Sequence, residues 1–98
     1  MNLLTDEEIR KALEKLPGWA LHGREIRRTF AFPGFTEAMG FVVSVALLAE
    51  KANHHPDIDI RWNNVTLALS THSAGGLTRR DTDLATAIGG IDRHGVKG

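Results

Sequence analysis

The 98-residue chain has no cysteine, no net charge and no long apolar run. Without a thiol it has no thiolate catalysis, no disulfide and no cysteine-type zinc site, which fits a reducing compartment. Twelve basic residues balance twelve acidic ones, so nothing draws the whole molecule to nucleic acid or an anionic membrane. No basic helix or DNA-recognition motif compensates. The most apolar stretch, Phe41 to Ala49, contains Ser44 and ends at Glu50 and Lys51. It is far short of the ~20 residues that a membrane-spanning helix needs. Met-Asn-Leu-Leu-Thr-Asp-Glu-Glu at the start lacks the basic and apolar regions of a signal peptide. A cytoplasmic location is the expectation. No linker, repeat or low-complexity run interrupts the chain, so residues 1–98 read as one domain with an ordered core over residues 5–91. A core this thin is commonly completed by packing against copies of itself.

What is present has a clear order. Thr5 and Glu8 form a capping box, and Ile9, Leu13 and Leu16 then share a helical face until Pro17-Gly18. Trp19–His22 and Glu25–Phe32 read as strands around Gly23-Arg24. Arg28 falls on the apolar side of the second. After Pro33-Gly34, a long helix is expected from Phe35 to Ala52, with Phe35, Met39, Val42, Ala46 and Ala49 on one face. Ala38, Phe41, Val45 and Leu48 widen that face beyond the third of the circumference that one core contact needs. Such a helix is either buried deep in one core or packed on a sheet on one side and a second subunit on the other. Asp57–Trp62 and Val65–Thr71 are the clearest strands, with Asn63-Asn64 as a two-residue turn. Ser73–Leu77 is a loop, Thr78 caps a last helix carrying Leu84, Ile88 and Ile91, and Gly89-Gly90 weakens its end. The tail from Arg93 onward is expected to be loose. Helix, two strands, helix, two strands, helix is an α+β layout: a four-stranded antiparallel sheet packed against helices.

The turn at Asn63-Asn64 sets a register in which Trp62 faces Val65, Ile60 faces Leu67 and Ile58 faces Leu69. Extended, it puts His55 opposite His72, with Cβ atoms ~4.5–5.5 Å apart, although Pro56 can fray the ladder. His54 adjoins them, and Glu50 lies one helical turn earlier. Histidines ionise near neutral pH, with an unperturbed pKa of ~6.5. Three together supply an acid and a base in one pocket. Ser70 and Ser73 lie nearby without the glycine-flanked elbow of a nucleophile. A three-histidine metal site is the rival. Against it, the spacing fits no zinc motif, and His54 and His55 should point apart. No metal is therefore expected. His22 and His94 read as ordinary surface histidines.

Glu50, His54-His55-Pro56, Trp62, His72 and Asp81, in that order and at those intervals, resemble the signature of the pterin-4a-carbinolamine dehydratases. Leu16-Pro17-Gly18-Trp19, the run from Phe30 through Phe32, Phe35, Ala38, Phe41 and Val45, and Gly76-Leu77-Thr78 extend the similarity over residues 5–91. The resemblance implies dehydration of a 4a-hydroxytetrahydropterin to quinonoid dihydropterin, as in tetrahydrobiopterin recycling, without a cofactor. It implies His54 and His72 as acid–base groups, with His55 in the catalytic set chiefly as a substrate binder. Pro56, Thr71, Ser73 and Asp81 become candidate substrate contacts, Asp81 being equally readable as a helix-cap carboxylate. Glu50 and Trp62 would act from behind the histidines. Trp62, on the apolar side of its hairpin, reads as core or else as a pocket wall, and Glu50 is otherwise an exposed helix-end carboxylate. Ser73-Ala74-Gly75-Gly76 is smaller and less charged than in other members. The family also implies homodimers or homotetramers, formed edge to edge through the sheet and stacked through helices. Some members act instead as dimerisation cofactors of a transcription factor, which gives the alternative of a non-enzymatic interaction protein.

Overall fold

The computed structural model describes residues 2–95, with side chains as far as Ile91. Its elements are α1 (Asp6–Glu14), β1 (Ala20–His22), β2 (Glu25–Ala31), α2 (Phe35–Ala52), β3 (Asp57–Arg61), β4 (Asn64–Leu69), a 3-10 turn (His72–Ala74) and α3 (Arg79–Gly95). The strands form one antiparallel sheet in the order β1-β2-β4-β3, so the fold is the expected α+β arrangement.

Local chemistry explains the boundaries. Thr5 and Glu8 make the reciprocal capping box that opens α1. Gly23, at φ +63°, supplies the positive φ that the tight β1–β2 turn requires. Asn53, at φ 51°, ends α2 in the left-handed conformation. Its amide then donates to the Glu50 carbonyl and that of His54 to the Ala49 carbonyl, both at 3.1 Å. This closure turns the chain sharply back on itself.

The core lies between the helices and one sheet face. Val65, Leu67 and Leu69 are fully buried on β4, facing Ala38, Phe41 and Val45 of α2 and Leu84, Ala85 and Ile88 of α3. Each large aliphatic buried there contributes roughly 1.5–3 kcal/mol. Arg28 keeps its place on this face by laying its guanidinium over the Phe30 ring, 4.2 Å from the centroid.

Four expectations are corrected. Arg61 faces Asn64, Ile60 faces Val65 and Ile58 faces Leu67, so the hairpin turn is Trp62-Asn63 and the register differs by two. The cause is β2. The Asn63 carbonyl accepts from the Phe32 amide at 3.0 Å, and its side-chain amide donates to the Phe32 carbonyl at 2.8 Å. These bonds tie Asn63 to the end of β2, bring Asn64 into the ladder and leave Trp62 to turn with Asn63, Trp62 at φ 52°. Second, Trp62 is not core: it is 68% exposed at the hairpin tip. Third, the buried face of α2 is Ala38, Phe41, Val45 and Ala49, while Phe35 and Ala46 are exposed. A 100° step per residue puts those two on the flank once Phe41 and Val45 meet the sheet. Fourth, α3 runs through Gly89-Gly90 to Gly95, because burial of Leu84, Ala85 and Ile88 outweighs the roughly 1 kcal/mol that each glycine costs. The predicted loose tail is thus helical over residues 93–95, and its remainder, residues 96–98, lies outside the described residues.

Candidate active site

The end of α2, the end of β4 and the start of α3 converge on one buried polar network. The α2 closure directs His54 inward, where it is 8% exposed. Its Nε2 lies 2.5 Å from Oδ1 of Asp81, which is fully buried. The other carboxylate oxygen, Oδ2, accepts from the Thr71 hydroxyl at 2.8 Å and the Thr78 amide at 2.9 Å. The Thr71 and Thr78 hydroxyls are 2.7 Å apart. Thr71 has already given its one proton to Asp81, so Thr78 donates to Thr71. The Thr78 hydroxyl in turn accepts from the Arg80 amide at 3.2 Å.

This closed chain fixes a tautomer. An ionised Asp81 can only accept, so His54 carries a proton on Nε2, and when neutral it keeps its lone pair on Nδ1. The Thr78 amide bond to Asp81 is also the capping contact expected of a helix N-terminus. Asp81 therefore caps α3 and holds His54 at once; the two readings of this residue are not exclusive.

His55 turns the opposite way. Its Nε2 is 2.5 Å from Oε1 of Glu50, with both side chains mostly in solvent. Pro56 is half-buried between it and β3. In the observed register a continued ladder would set His55 against Ser70, not His72. His72 opens the 3-10 turn and is exposed, as is Ser73. His72 lines a cleft of about 330 Å³ with His22, Arg24, Glu25, Arg27, Ser70 and Gly75. His54 lines a different cavity of about 410 Å³, with Leu48, Lys51, Ala52, Arg80, Asp83, Leu84 and Ala87. The three histidines thus do not line a single cavity. Thr71 links the two sides: its hydroxyl holds the Asp81 carboxylate that faces His54, and its backbone carries His72. Trp62 stands at the far end of β3 from His54 and His55.

Sequence reasoning did not foresee the bond between the Thr78 and Thr71 hydroxyls, nor that Arg24 and the surface residue His22 line the same cleft as His72. Pairing of β2 with β4 was the available signal, because it brings the β1–β2 turn to the end of β4. His94 has a side chain outside those described.

Fold and site together define the class: a small α+β protein in which one buried imidazole is held by a buried carboxylate. Comparison with known proteins makes it specific. The family model for "Pterin 4 alpha carbinolamine dehydratase" matches residues 2–91, and the chain belongs to that family. A Roseiflexus sp. (strain RS-1) protein with the provisional name pterin-4-alpha-carbinolamine dehydratase is 61% identical over 87% of this chain and 91% of its own. A Nocardia farcinica (strain IFM 10152) protein with the same provisional name is 56% identical over 93% and 96%. The crystal structure of a transcriptional coactivator/pterin dehydratase from Brucella melitensis superposes with a TM-score of 0.89 at 41% identity, covering 93% of this chain and 99% of that one. A pterin dehydratase-like protein identified as a RuBisCO assembly factor of the alpha-carboxysome shares the fold, with a TM-score of 0.65 at 20% identity over 76% and 89%.

Proposed function

We propose that this protein removes water from a 4a-hydroxytetrahydropterin to give quinonoid dihydropterin, the step needed to recycle tetrahydrobiopterin. The observation that carries the proposal is the buried His54–Asp81 pair braced by Thr71 and Thr78, in a chain of this family.

The reaction needs one proton delivered and one removed. The C4a hydroxyl is protonated and leaves as water, the N5 proton is taken, and the N5 electron pair forms the C4a=N5 bond. No electrons are exchanged with a cofactor, and no metal is required. His54, with Nε2–H directed at Asp81, offers Nδ1 as the base for the N5 proton, and Asp81 stabilises the imidazolium that results. His72 is the acid at the departing hydroxyl. A substrate reaching both rings lies across the strand end at Thr71, between the two cavities. His55 binds it, with Pro56, Thr71, Ser73 and Asp81 as the other candidate contacts and Glu50 orienting His55. The protein acts in the cytoplasm; among the described residues no helix is long and apolar enough to cross a membrane.

The test is dehydration of chemically prepared 4a-hydroxytetrahydropterin, followed by absorbance. Acceleration over the spontaneous reaction is expected. Its absence would sink the proposal.

We also propose a homodimer or homotetramer. Val43 and Leu47 of α2 are 59% and 68% exposed, and Ile58 and Ile60 are partly open on the edge strand β3. Both are surfaces that a lone domain leaves uncovered. The same α2 face supports the second reading, an interaction protein that binds a different partner there. Loss of activity in His54→Ala with assembly intact favours the enzyme, whereas assembly without any activity favours the interaction protein.

A further inference from the structure

We propose that the cleft beside His72 binds an oxyanion, a phosphate ester or a carboxylate, carried on the side chain of the substrate, with Arg24 as its main partner. The identity of the substrate rests on the dehydratase reading. The affinity of the cleft for an oxyanion does not.

The cleft is built by two segments that are tied together. One is the β1–β2 turn with the start of β2, contributing His22, Arg24, Glu25 and Arg27. The other is the end of β4 and its 3-10 turn, contributing Ser70, His72 and Gly75. The Ser70 hydroxyl donates to the Arg24 carbonyl at 2.9 Å. Gly23, with its positive φ, and the pairing of His22 with Glu25 fix the turn from its other side. The backbone of Arg24 is therefore anchored beside the strand end that leads into His72.

Charge gives the cleft its sign. Two guanidinium and two imidazole side chains face one carboxylate, Glu25. Glu25 is already paired with Arg27. Arg24 has no ion-pair partner among the described residues. An entering oxyanion finds one uncommitted guanidinium, whose planar fork suits a phosphate or carboxylate, between two further N–H groups. Space is adequate. The volume of about 330 Å³ lies at the small end of ligand pockets, right for a charged tail rather than a whole second molecule. At Gly75, φ +79°, no heavy atom lies within 4 Å of where a Cβ would stand, and Ser73-Ala74-Gly75-Gly76 adds no charge of its own. His72 belongs both to this cleft and to the proposed reaction. A tail in the cleft and a ring against His72 can thus be parts of one molecule.

Two measurements on the full chain test this. First, inorganic pyrophosphate is titrated while the imidazole signals of His22 and His72 and the Arg24 side-chain signal are followed by NMR. Saturable shifts of these three are expected, with His54, which does not line the cleft, unmoved. Arg24→Gln should weaken binding about fivefold, the upper range for a solvent-exposed charge pair, and Arg24→Lys should retain most of it. No saturable shift at the cleft, or equal binding by Arg24→Gln, overturns the proposal.

Second, kcat/KM is compared for 4a-hydroxypterins carrying a neutral hydroxyalkyl, a phosphate ester or a carboxylate side chain. A charged side chain should win by about threefold to fivefold, mainly through KM, and Arg24→Gln should shrink that ratio. The better of the two charged substrates identifies the anion. Equal values for all three overturn the proposal while leaving the dehydratase reading intact. Pyrophosphate bound at the cleft, with no pterin dehydrated, overturns the dehydratase reading and leaves the anion site standing.

Discussion

His54 and His72 flank the same threonine and live in opposite environments. His54 is buried and held from behind by a chain of hydrogen bonds that runs from the Asp81 carboxylate through Thr71 and Thr78 to the Arg80 amide. His72 opens onto a charged cleft and makes no side-chain hydrogen bond or ion pair among the described residues. A preorganised imidazole suits a step that must not wait for reorientation. An exposed one suits a step in which the proton is afterwards renewed from water. The comparison teaches that the histidine signature does not describe one cluster. It places a buried imidazole and an exposed one on either side of Thr71, lining different cavities.

The strongest way to break the comparison is to delete each ring. His54→Ala should lower kcat by about 10²- to 10⁴-fold, the range for a positioned acid–base group. His72→Ala should fall at or below the lower end of that range, since water reaches its position. Single-turnover absorbance measurements on both variants decide the matter. Equal and full losses would mean that the two rings work as a single unit.

The network behind His54 comes next. Asp81→Asn keeps the shape but can present an amide N–H where the ring needs an acceptor. A hydrogen bond to a charged group is worth about 2 kcal/mol, so kcat should drop roughly thirtyfold with KM little changed. Thr71→Val removes one of the three donors to Asp81 and leaves the Thr78 hydroxyl without its acceptor. Stability should fall by about 1–3 kcal/mol in urea unfolding. An unaltered midpoint would show that the threonines do not brace the carboxylate.

Much of this was legible in the residues. The capping box at Thr5, the turn at Gly23-Arg24 and the span of α2 follow from local rules that tertiary structure did not override. The meeting of His54 with Asp81 was not readable from periodicity. It depends on the left-handed Asn53 and on how α3 docks, and neither leaves a pattern in one dimension. The hairpin register failed for a similar reason. Asn63-Asn64 is the better turn by propensity, but the bonds from Asn63 to Phe32 belong to a third strand. Moving the turn by one residue displaced the whole ladder by two. It carried Trp62 into solvent and separated His55 from His72.

A second pair of regions, the two faces of α2, sharpens the same lesson about sealed and open surfaces. Ala38, Phe41, Val45 and Ala49 are closed against the core, whereas Val43 and Leu47 are not. Leu47→Glu should leave the fold intact, because it buries no charge within the subunit, and should shift the light-scattering mass of an oligomer toward monomer. An unchanged assembly would assign the interface to the β3 edge instead.

The smallest effect belongs to the outward-facing His55 and Glu50. Their bond is short, yet both side chains are more than half exposed. Exposed ion pairs are worth about 0–1 kcal/mol because water and salt screen them and two flexible chains must be ordered. Glu50→Gln should therefore move the unfolding midpoint by no more than about 0.5 kcal/mol and raise KM modestly, with kcat held. A large fall in kcat would show that the outer pair takes part in proton transfer. The proposed assignment of proton transfer to His54 and His72, with His55 as binder, would then have to be redrawn around His55.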